Sequence, residues 1–254
     1  MVNTNTRALL KFNFGGNAKL SKDIVTFSLP SGFSCPGAQD CLAKADKKTG
    51  KITDGPLQKY RCFSAVSETR PAVRAQRWYN FDLLKKARTK DAMVALISAS
   101  FPVDAKILRL HVGGDFFSQN YFDAWKEVAA KFKDCVIYAY TKSAHFVDAS
   151  GILPDNFKIT LSKGGKYDHL VDGMVGVGKE DENTTMQYGV AEVLGHPEEA
   201  QQLGLTVDHD DSHAIAGKQH FALLLHSMQP AGSAAAAKVK RMRTEGVQFS
   251  YPSK

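Results

Sequence analysis

The stretch KILRLHVGGDFFSQNYFDAWKEVAAKFKDCVIYAY, residues 106–140, decides the fold class. KILRLHV (106–112) is a short apolar run that ends in Gly113-Gly114-Asp115. Ser118 stands where a helix N-cap is wanted, because a serine hydroxyl accepts one of the amide protons left unpaired in a first helical turn. Behind it Tyr121, Phe122, Trp125, Val128, Ala129 and Phe132 recur at the three-and-four spacing of one helical face. CVIYAY (135–140) is a second apolar run. Strand, helix and strand in succession form a βαβ unit. The helix carries the chain back to its starting side, so the two strands pair in parallel, with a right-handed crossover.

The same rhythm continues downstream. Thr141-Lys142-Ser143 follows the second strand, and AHFVDASGI (144–152) reads as a short helix or turn. FKITLS (157–162) reads as a third strand, GGKYDHLVDG (164–173) as a loop and residues 188–194 as a weaker strand. HPEEAQQLG (196–204) is a short helix, VDHDDSHAIAG (207–217) a polar loop and FALLLHSM (221–228) a strong strand. Gln229 to Ser233 then leads into a helix through AAAAKVKRMR (234–243). Upstream, RALLKFNF (7–14) and DIVTFSL (23–29) flank the Gly/Asn turn GGNAKLSK and read as a hairpin. CFSAVSE and the run from Pro71 to Phe101 read as two or three helices, broken near Pro71 and near Thr89-Lys90. The expected fold is α/β: a partial or open (β/α) barrel-like parallel sheet with an N-terminal β-hairpin and a cysteine-bearing insert. The expected organisation is a single domain over 1–254, with the hairpin in 1–30, the cysteine segment and helices in 31–105, and the β/α core in 106–245.

Composition bounds the function. The chain has 254 residues and a formal net charge of +7. A basic balance admits nucleic acid as a partner, but a binding footprint needs its charges gathered on one face. The one local cluster, Lys238, Lys240, Arg241 and Arg243, reads as a solvated helix face. No apolar run approaches a membrane span, and MVNTNTRALLKF lacks the apolar region of a signal peptide, so the expectation is a cytoplasmic protein with no membrane partner. Neither a GxxxxGK[ST] phosphate loop nor a GxSxG nucleophile elbow is present. The glycine-rich GMVGVG (173–178) lacks the strand–helix frame of a dinucleotide site.

Chemistry points to the cysteines. Cys35 and Cys41 are separated by five residues, and Cys62 follows after twenty more. All three sit in SCPGAQDCLAKA and KYRCFSAV, which are rich in small and turn-forming residues. Thiols gathered in irregular chain, in a reducing compartment, favour metal over disulfide. An iron–sulfur cluster uses thiolates in this way. Zinc is the rival and wants a fourth ligand, and three unligated thiols are the bland alternative. Cys135 opens an apolar strand and reads as a small core residue.

Polar residues follow the strand ends and would share one rim. Gly113 and Gly114 allow close approach of a ligand, and Asp115 either contacts an amino or hydroxyl group or caps the turn. Thr141, Lys142 and Ser143 join the candidate cofactor-binding set. Asp208, His209, Asp210, Asp211 and His213 form a dense polar run that suits a divalent cation or acid–base work, or else a solvated acidic loop. His111, within a strand, reads as a hydrogen-bonded core histidine.

Taken together, CPGAQDC…RCFSA, RWYNFDLL, HVGGDFFSQNYFDAW, YAYTKS, DHDDSHA and QPAGSAAAAK resemble the gene product 88 family of phage and phage-derived proteins, from about residue 30 to about residue 245. That resemblance implies the cytoplasm of an infected host. There is a more distant likeness to radical S-adenosylmethionine enzymes, which carry a 4Fe–4S cluster with one open iron on a partial β/α barrel. In them a Gly-Gly-Glu-like motif after an early strand holds the amino group of S-adenosylmethionine, and Gly113, Gly114 and Asp115 occupy the matching place. The cysteine spacing departs from their compact C-x3-C-x2-C loop. The likeness implies a 4Fe–4S cluster on Cys35, Cys41 and Cys62, S-adenosylmethionine as a co-ligand, and an unidentified small-molecule or macromolecular substrate. The alternative is a phage protein with a structural metal that binds nucleic acid or a host protein.

Overall fold

The structure is a computed structural model and describes residues 8–15, 20–175 and 188–248. In chain order the elements are β1 (Ile24–Phe27), β2 (Ala43–Ala45), β3 (Ile52–Asp54), α1 (Phe63–Ser67), α2 (Pro71–Ala87) and α3 (Lys90–Ser100). Then come β4 (Ile107–Leu110), α4 (Gln119–Lys131), β5 (Val136–Thr141), α5 (Ala144–Ala149), β6 (Phe157–Ser162) and α6 (Asp168–Val175). The last third holds β7 (Gly189–Leu194), α7 (Pro197–Gln202), β8 (Thr206–Val207), α8 (Ser212–Ala216), β9 (His220–Leu224) and α9 (Ala234–Thr244).

Among the described residues seven strands form one sheet in the order β1-β4-β5-β6-β7-β9-β8, and the strands pair in parallel. The sheet is open, with β1 and β8 at its edges. The expected βαβ unit is β4-α4-β5, in register Arg109 to Tyr138. Ser118 caps α4, its hydroxyl accepting from the Tyr121 amide at 3.3 Å. Ser118→Ala is expected to cost about 1 kcal/mol, which in a chain of this size lowers the midpoint of a circular-dichroism melt by about 2–4 °C.

Strand alternation gives the sheet two unlike faces. Val25, Phe27, Leu108, Leu110, Ile137, Ala139, Ile159 and Leu161 face a layer of helices and pack with Leu84, Leu96, Ile97, Tyr121, Phe122 and Trp125. Trp125, Tyr121 and Phe122 are fully buried there, and Cys135 lies in the same core as expected. The opposite face carries Ile24, Tyr138, Ala191 and Phe221, covered by Ala214 of α8. No helix among the described residues is long and apolar enough to cross a membrane.

Four local expectations change. Within the described part of 7–14 there is no strand; Asn13 alone forms an antiparallel bridge, to Thr26. The Leu10 and Lys11 amides donate instead to Ser100 Oγ at 2.9 Å and Asn80 Oδ1 at 2.8 Å, so helix side chains take the bonds a hairpin would need. Antiparallel pairing occurs in the cysteine insert, between β2 and β3. Residues 164–173 are partly helical, because α6 starts at Asp168, whose carboxylate accepts from the Gly164 and Gly165 amides at 2.8 and 2.9 Å. The polar run 207–217 contains α8, and its floor-facing Asp211 is buried. Of the turn 15–22 and of GMVGVG, residues 16–19 and 176–178 lie outside the described residues.

Candidate metal centre

Each parallel strand delivers its last residues to the same rim. At the end of β4 the chain turns through His111, whose φ is +61°, and its amide donates to the Phe27 carbonyl at 2.8 Å. Its Nε2 is 3.0 Å from the Tyr121 hydroxyl, and burial pushes the imidazole down to about 3. His111 is the hydrogen-bonded core histidine that the sequence suggests.

Gly113 and Gly114 are where the sequence expects close approach, and what approaches is the protein itself. A Cβ on Gly113 would meet Ser64 Oγ and lie 2.5 Å from the guanidinium carbon of Arg77. Gly114 has φ +87°, and a Cβ there would lie 2.5 Å from Ser34 Oγ and 2.7 Å from Leu29 Cβ. Ser34 and Ser64 flank Cys35 and Cys62, so the glycine pair is the seat on which both cysteine segments rest. The Ser34 hydroxyl donates to the Pro30 carbonyl at 2.8 Å and accepts from the Asp115 amide at 3.3 Å.

Asp115 is buried and fully employed. One carboxylate oxygen accepts from Thr141 Oγ1 at 2.6 Å and from the Phe116 amide at 2.7 Å. The other accepts from the Lys142 amide at 3.0 Å and from Ser143 Oγ at 3.3 Å. Burial raises this carboxyl to about 6 against the pull of those four bonds. Asp115 thus braces the end of β4 to the end of β5 and unites the two predicted polar clusters. Lys142 turns its ammonium the other way. It donates to Ser162 Oγ at 3.0 Å, to the Ser162 carbonyl at 3.3 Å and to the Lys163 carbonyl.

The segment from Cys35 to Cys41 is zipped onto this platform by backbone. Ala38 bridges Gly165, the Asp40 amide donates to the Gly164 carbonyl at 2.9 Å, and the Lys166 amide donates to the Gly37 carbonyl at 2.9 Å. A side chain on Gly37 would strike the Lys142 carbonyl. The Cys62 segment is held from the opposite side. Gln229 brackets Arg61, accepting from its amide at 2.7 Å and donating to its carbonyl at 3.2 Å.

Cys35, Cys41 and Cys62 are each half-buried, and all three line one cavity of about 180 Å³. Gly113, Gly114, Asp115, Thr141 and Lys142 line it too; Ser143 stands behind, through its bond to Asp115. Below the rim, Arg109, Tyr140, Val193 and Leu223 from the inner face of the sheet form the wall. Burial first, then the Asp115 carboxylate and the Cys62 sulfur, push the Cys35 thiol well above its ordinary value. Burial carries Cys41 up to about 12, with the Lys142 ammonium pulling against it. Burial raises Cys62 as well, opposed by the Ala65 and Ser64 amides at the start of α1. The Gly32 amide donates to the Cys35 sulfur at 3.2 Å. Among the described residues, no three or more His, Cys, Asp or Glu side chains close on a single metal-ion point.

Several supporting residues are not evident from sequence. Glu68 is fully buried and pairs with Arg77 at 2.6 Å. The same carboxylate oxygen accepts from the Ser31 amide at 2.8 Å, while Arg77 also donates to Ser64 Oγ at 2.7 Å. One ion pair therefore fixes the turn before Cys35 to the helix after Cys62. The available signal was Arg77 on the apolar face of RWYNFDLL, where a solvated arginine is out of place.

The Asp208–His213 run does not reach the rim. Asp211 accepts from Arg109 at 2.5 Å, Tyr138 OH at 2.8 Å and Tyr140 OH at 3.1 Å, beneath the inner face of β4 and β5. Asp208 accepts from the Asp210 and His213 amides at 3.0 and 3.1 Å. The Asp211 carboxylate ties α8 to the sheet, and the Asp208 carboxylate closes the turn that leads into α8.

The chain is 32% identical over 139 residues to the Gene 88 protein of Mycobacterium phage D29, an alignment covering 50% of this chain and 51% of that one. The Gene 88 protein of Mycobacterium phage L5 matches with the same identity and coverage. The chain thus spans about half the length of the curated relatives it matches. No solved structure gives a significant match. The model of the family described as "Gene product 88" matches residues 5–244. That span takes in every strand of the sheet, all three rim cysteines and α9 to its last residue, and the chain belongs to the gene product 88 family.

Proposed function

We propose that Cys35, Cys41 and Cys62 ligate an iron–sulfur cluster of the 4Fe–4S kind at the rim of the sheet. The observation that carries this reading is convergence. Three thiols from two separate segments line one cavity with Gly113, Gly114, Asp115 and Lys142. A single zinc ion wants four ligands about one point, with Zn–S of about 2.3 Å. A cluster of several irons accepts a wider ring of thiolates. Amides aimed at the sulfurs of Cys35 and Cys62 suit it further, since hydrogen bonds to sulfur tune such clusters.

When bound, a 4Fe–4S cluster with three thiolate ligands supplies one-electron chemistry and one iron position open to a further ligand. The protein's own residues would prepare that place. Gly113 and Gly114 let the Ser34 and Ser64 segments sit down closely, which brings Cys35 and Cys62 to one cavity. Lys142, pinned by Ser162 and Lys163, keeps a positive charge beside Cys41 that offsets thiolate charge. Asp115 acts first as a brace, because four protein donors already occupy its oxygens.

The finer reading is a radical S-adenosylmethionine-like enzyme, with that co-ligand at the open iron. It is supported by three cysteines lining a cavity at the rim of an open parallel sheet; the Gly-Gly-Asp turn there braces the cysteine segments and does not present a free carboxylate. The test is anaerobic purification followed by absorption spectra and iron and sulfide analysis. The expected protein is brown, bleaches on reduction and carries about four irons and four sulfides per chain. A colourless, iron-free protein under those conditions would sink the reading.

A further inference from the structure

A second feature lies outside the cysteine cavity. The β2–β3 hairpin presents Lys44, Lys47, Lys48 and Lys51 to solvent. Beneath it runs a row of rings, Phe33, Trp78 and Phe81, with successive centroids 4.8 and 5.8 Å apart. Lys44 places its ammonium 5.2 Å from the Phe33 ring centre, and Lys47 places its own 4.5 Å from that of Trp78. Phe33 is 40% exposed, high for a phenylalanine.

The hairpin is a fixed platform. Arg74 of α2 donates to the Lys47 carbonyl at 3.1 Å and to the Lys48 carbonyl at 3.2 Å, clamping the turn to the helix. Among the described residues the face is also short of compensating acid. Asp46 turns its carboxylate into the hairpin, accepting from the Lys48 and Thr49 amides and from Thr49 Oγ1. Asp82 pairs with Lys47 at 2.9 Å. Lys44, Lys48 and Lys51 have no ion pair among the described residues, so their charge is available to an outside anion.

We propose that the face built by the Phe33 turn, the β2–β3 hairpin and α2 binds single-stranded nucleic acid, with phosphates at Lys44, Lys48 and Lys51 and a base against Phe33. An acidic protein surface would use the lysines alone. A duplex would keep its base faces hidden. An exposed ring set among unpaired ammonium groups suits a strand whose bases are free to stack while its phosphates are neutralised. Lys44 already rests over Phe33, so a base arriving on that ring releases its ammonium toward the neighbouring phosphate. None of these side chains lines the cysteine cavity, and the inference stands apart from the cluster reading.

The test is fluorescence anisotropy of the full chain with a labelled oligothymidine of roughly 12 nucleotides, across a salt series. Binding is expected, with a log–log salt slope of about −2 for three phosphates neutralised on a single strand. The triple variant Lys44→Gln, Lys48→Gln, Lys51→Gln is expected to weaken binding and flatten that slope. Phe33→Ala is expected to weaken binding about fivefold or more and leave the slope unchanged. Thermal melts of both variants confirm that the fold is kept. No binding at low salt would overturn the proposal, as would unchanged binding by either variant. Equal competition by polyglutamate would point to an acidic protein instead, and equal affinity for the matching duplex would remove the role of Phe33; either result overturns it.

Discussion

Serine in place of Cys35, Cys41 or Cys62 is expected to strip iron from the anaerobically purified protein, while Cys135→Ser keeps it. The four substitutions are chemically alike, which makes the contrast informative. A hydroxyl has nearly the shape of a thiol but is a far poorer ligand for iron. At Cys35 a serine oxygen can still accept the Gly32 amide that now bonds the sulfur. At Cys62 the amides of Ser64 and Ala65 remain in place at the start of α1. The fold should therefore survive each change, as a circular-dichroism melt will report. Disturbing residues that merely orient metal ligands costs about 10–100-fold in metal affinity, and removing a ligand should cost at least as much. Cys135 lies in the apolar core behind the sheet, away from the cavity. Full iron in any of the three rim variants would remove that residue from the ligand set. Iron loss from Cys135→Ser alone would mean that the wrong trio has been chosen.

Gly114→Ala should be among the most damaging single changes at the rim. Two costs add. A φ of +87° disfavours any residue with a Cβ by about 1–2 kcal/mol. The added methyl would also lie 2.5 Å from Ser34 Oγ and 2.9 Å from the Leu29 carbonyl oxygen, and overpacking of this kind costs about 1–3 kcal/mol. The sum is about 2–5 kcal/mol, which in a chain of this length lowers the melting midpoint by about 5–15 °C. Gly204→Ala is the matched control. Its φ is +66° and nothing lies within 4 Å of the added carbon, so it tests backbone strain alone. If Gly114→Ala melts no lower than Gly204→Ala, the Ser34 segment does not press on the glycine seat. Crowding at Gly114 displaces the segment that carries Cys35, so iron content should fall with stability.

The architecture was legible wherever an element was long enough to show its period. β4, β5 and β6 follow from short apolar runs bounded by turn residues, and α4 from a six-residue aromatic and aliphatic stripe. β2 and β3 have three residues each, too few for a period of two to register against a polar background. The strand expected at 7–14 was misread for a different reason. Its Leu10 and Lys11 amides are satisfied by Ser100 and Asn80, which are distant in sequence and close only after α2 and α3 have packed, and only Asn13 still pairs with Thr26. In the site, the residue types were legible and their neighbours were not. Asp115 was visible as a polar group at a strand end, but its employment by Thr141, Lys142 and Ser143 needs β4 and β5 side by side. Asp211 was visible as one of a run of acids, and only the sheet reveals Arg109, Tyr138 and Tyr140 converging on it.

What the sequence by itself determined is the parallel α/β architecture and the identity of the groups available for chemistry. Hydrophobic period is a local property, and so is the presence of a thiol, a glycine or a lysine. What only the tertiary structure decided is which of those groups meet. Cys62 joins Cys35 and Cys41 because the buried Arg77–Glu68 pair and the Gln229 bracket hold its segment against the glycine seat. Contacts of that kind depend on distances between segments far apart in the chain, and such distances are set when the sheet and its helices bury their apolar faces together.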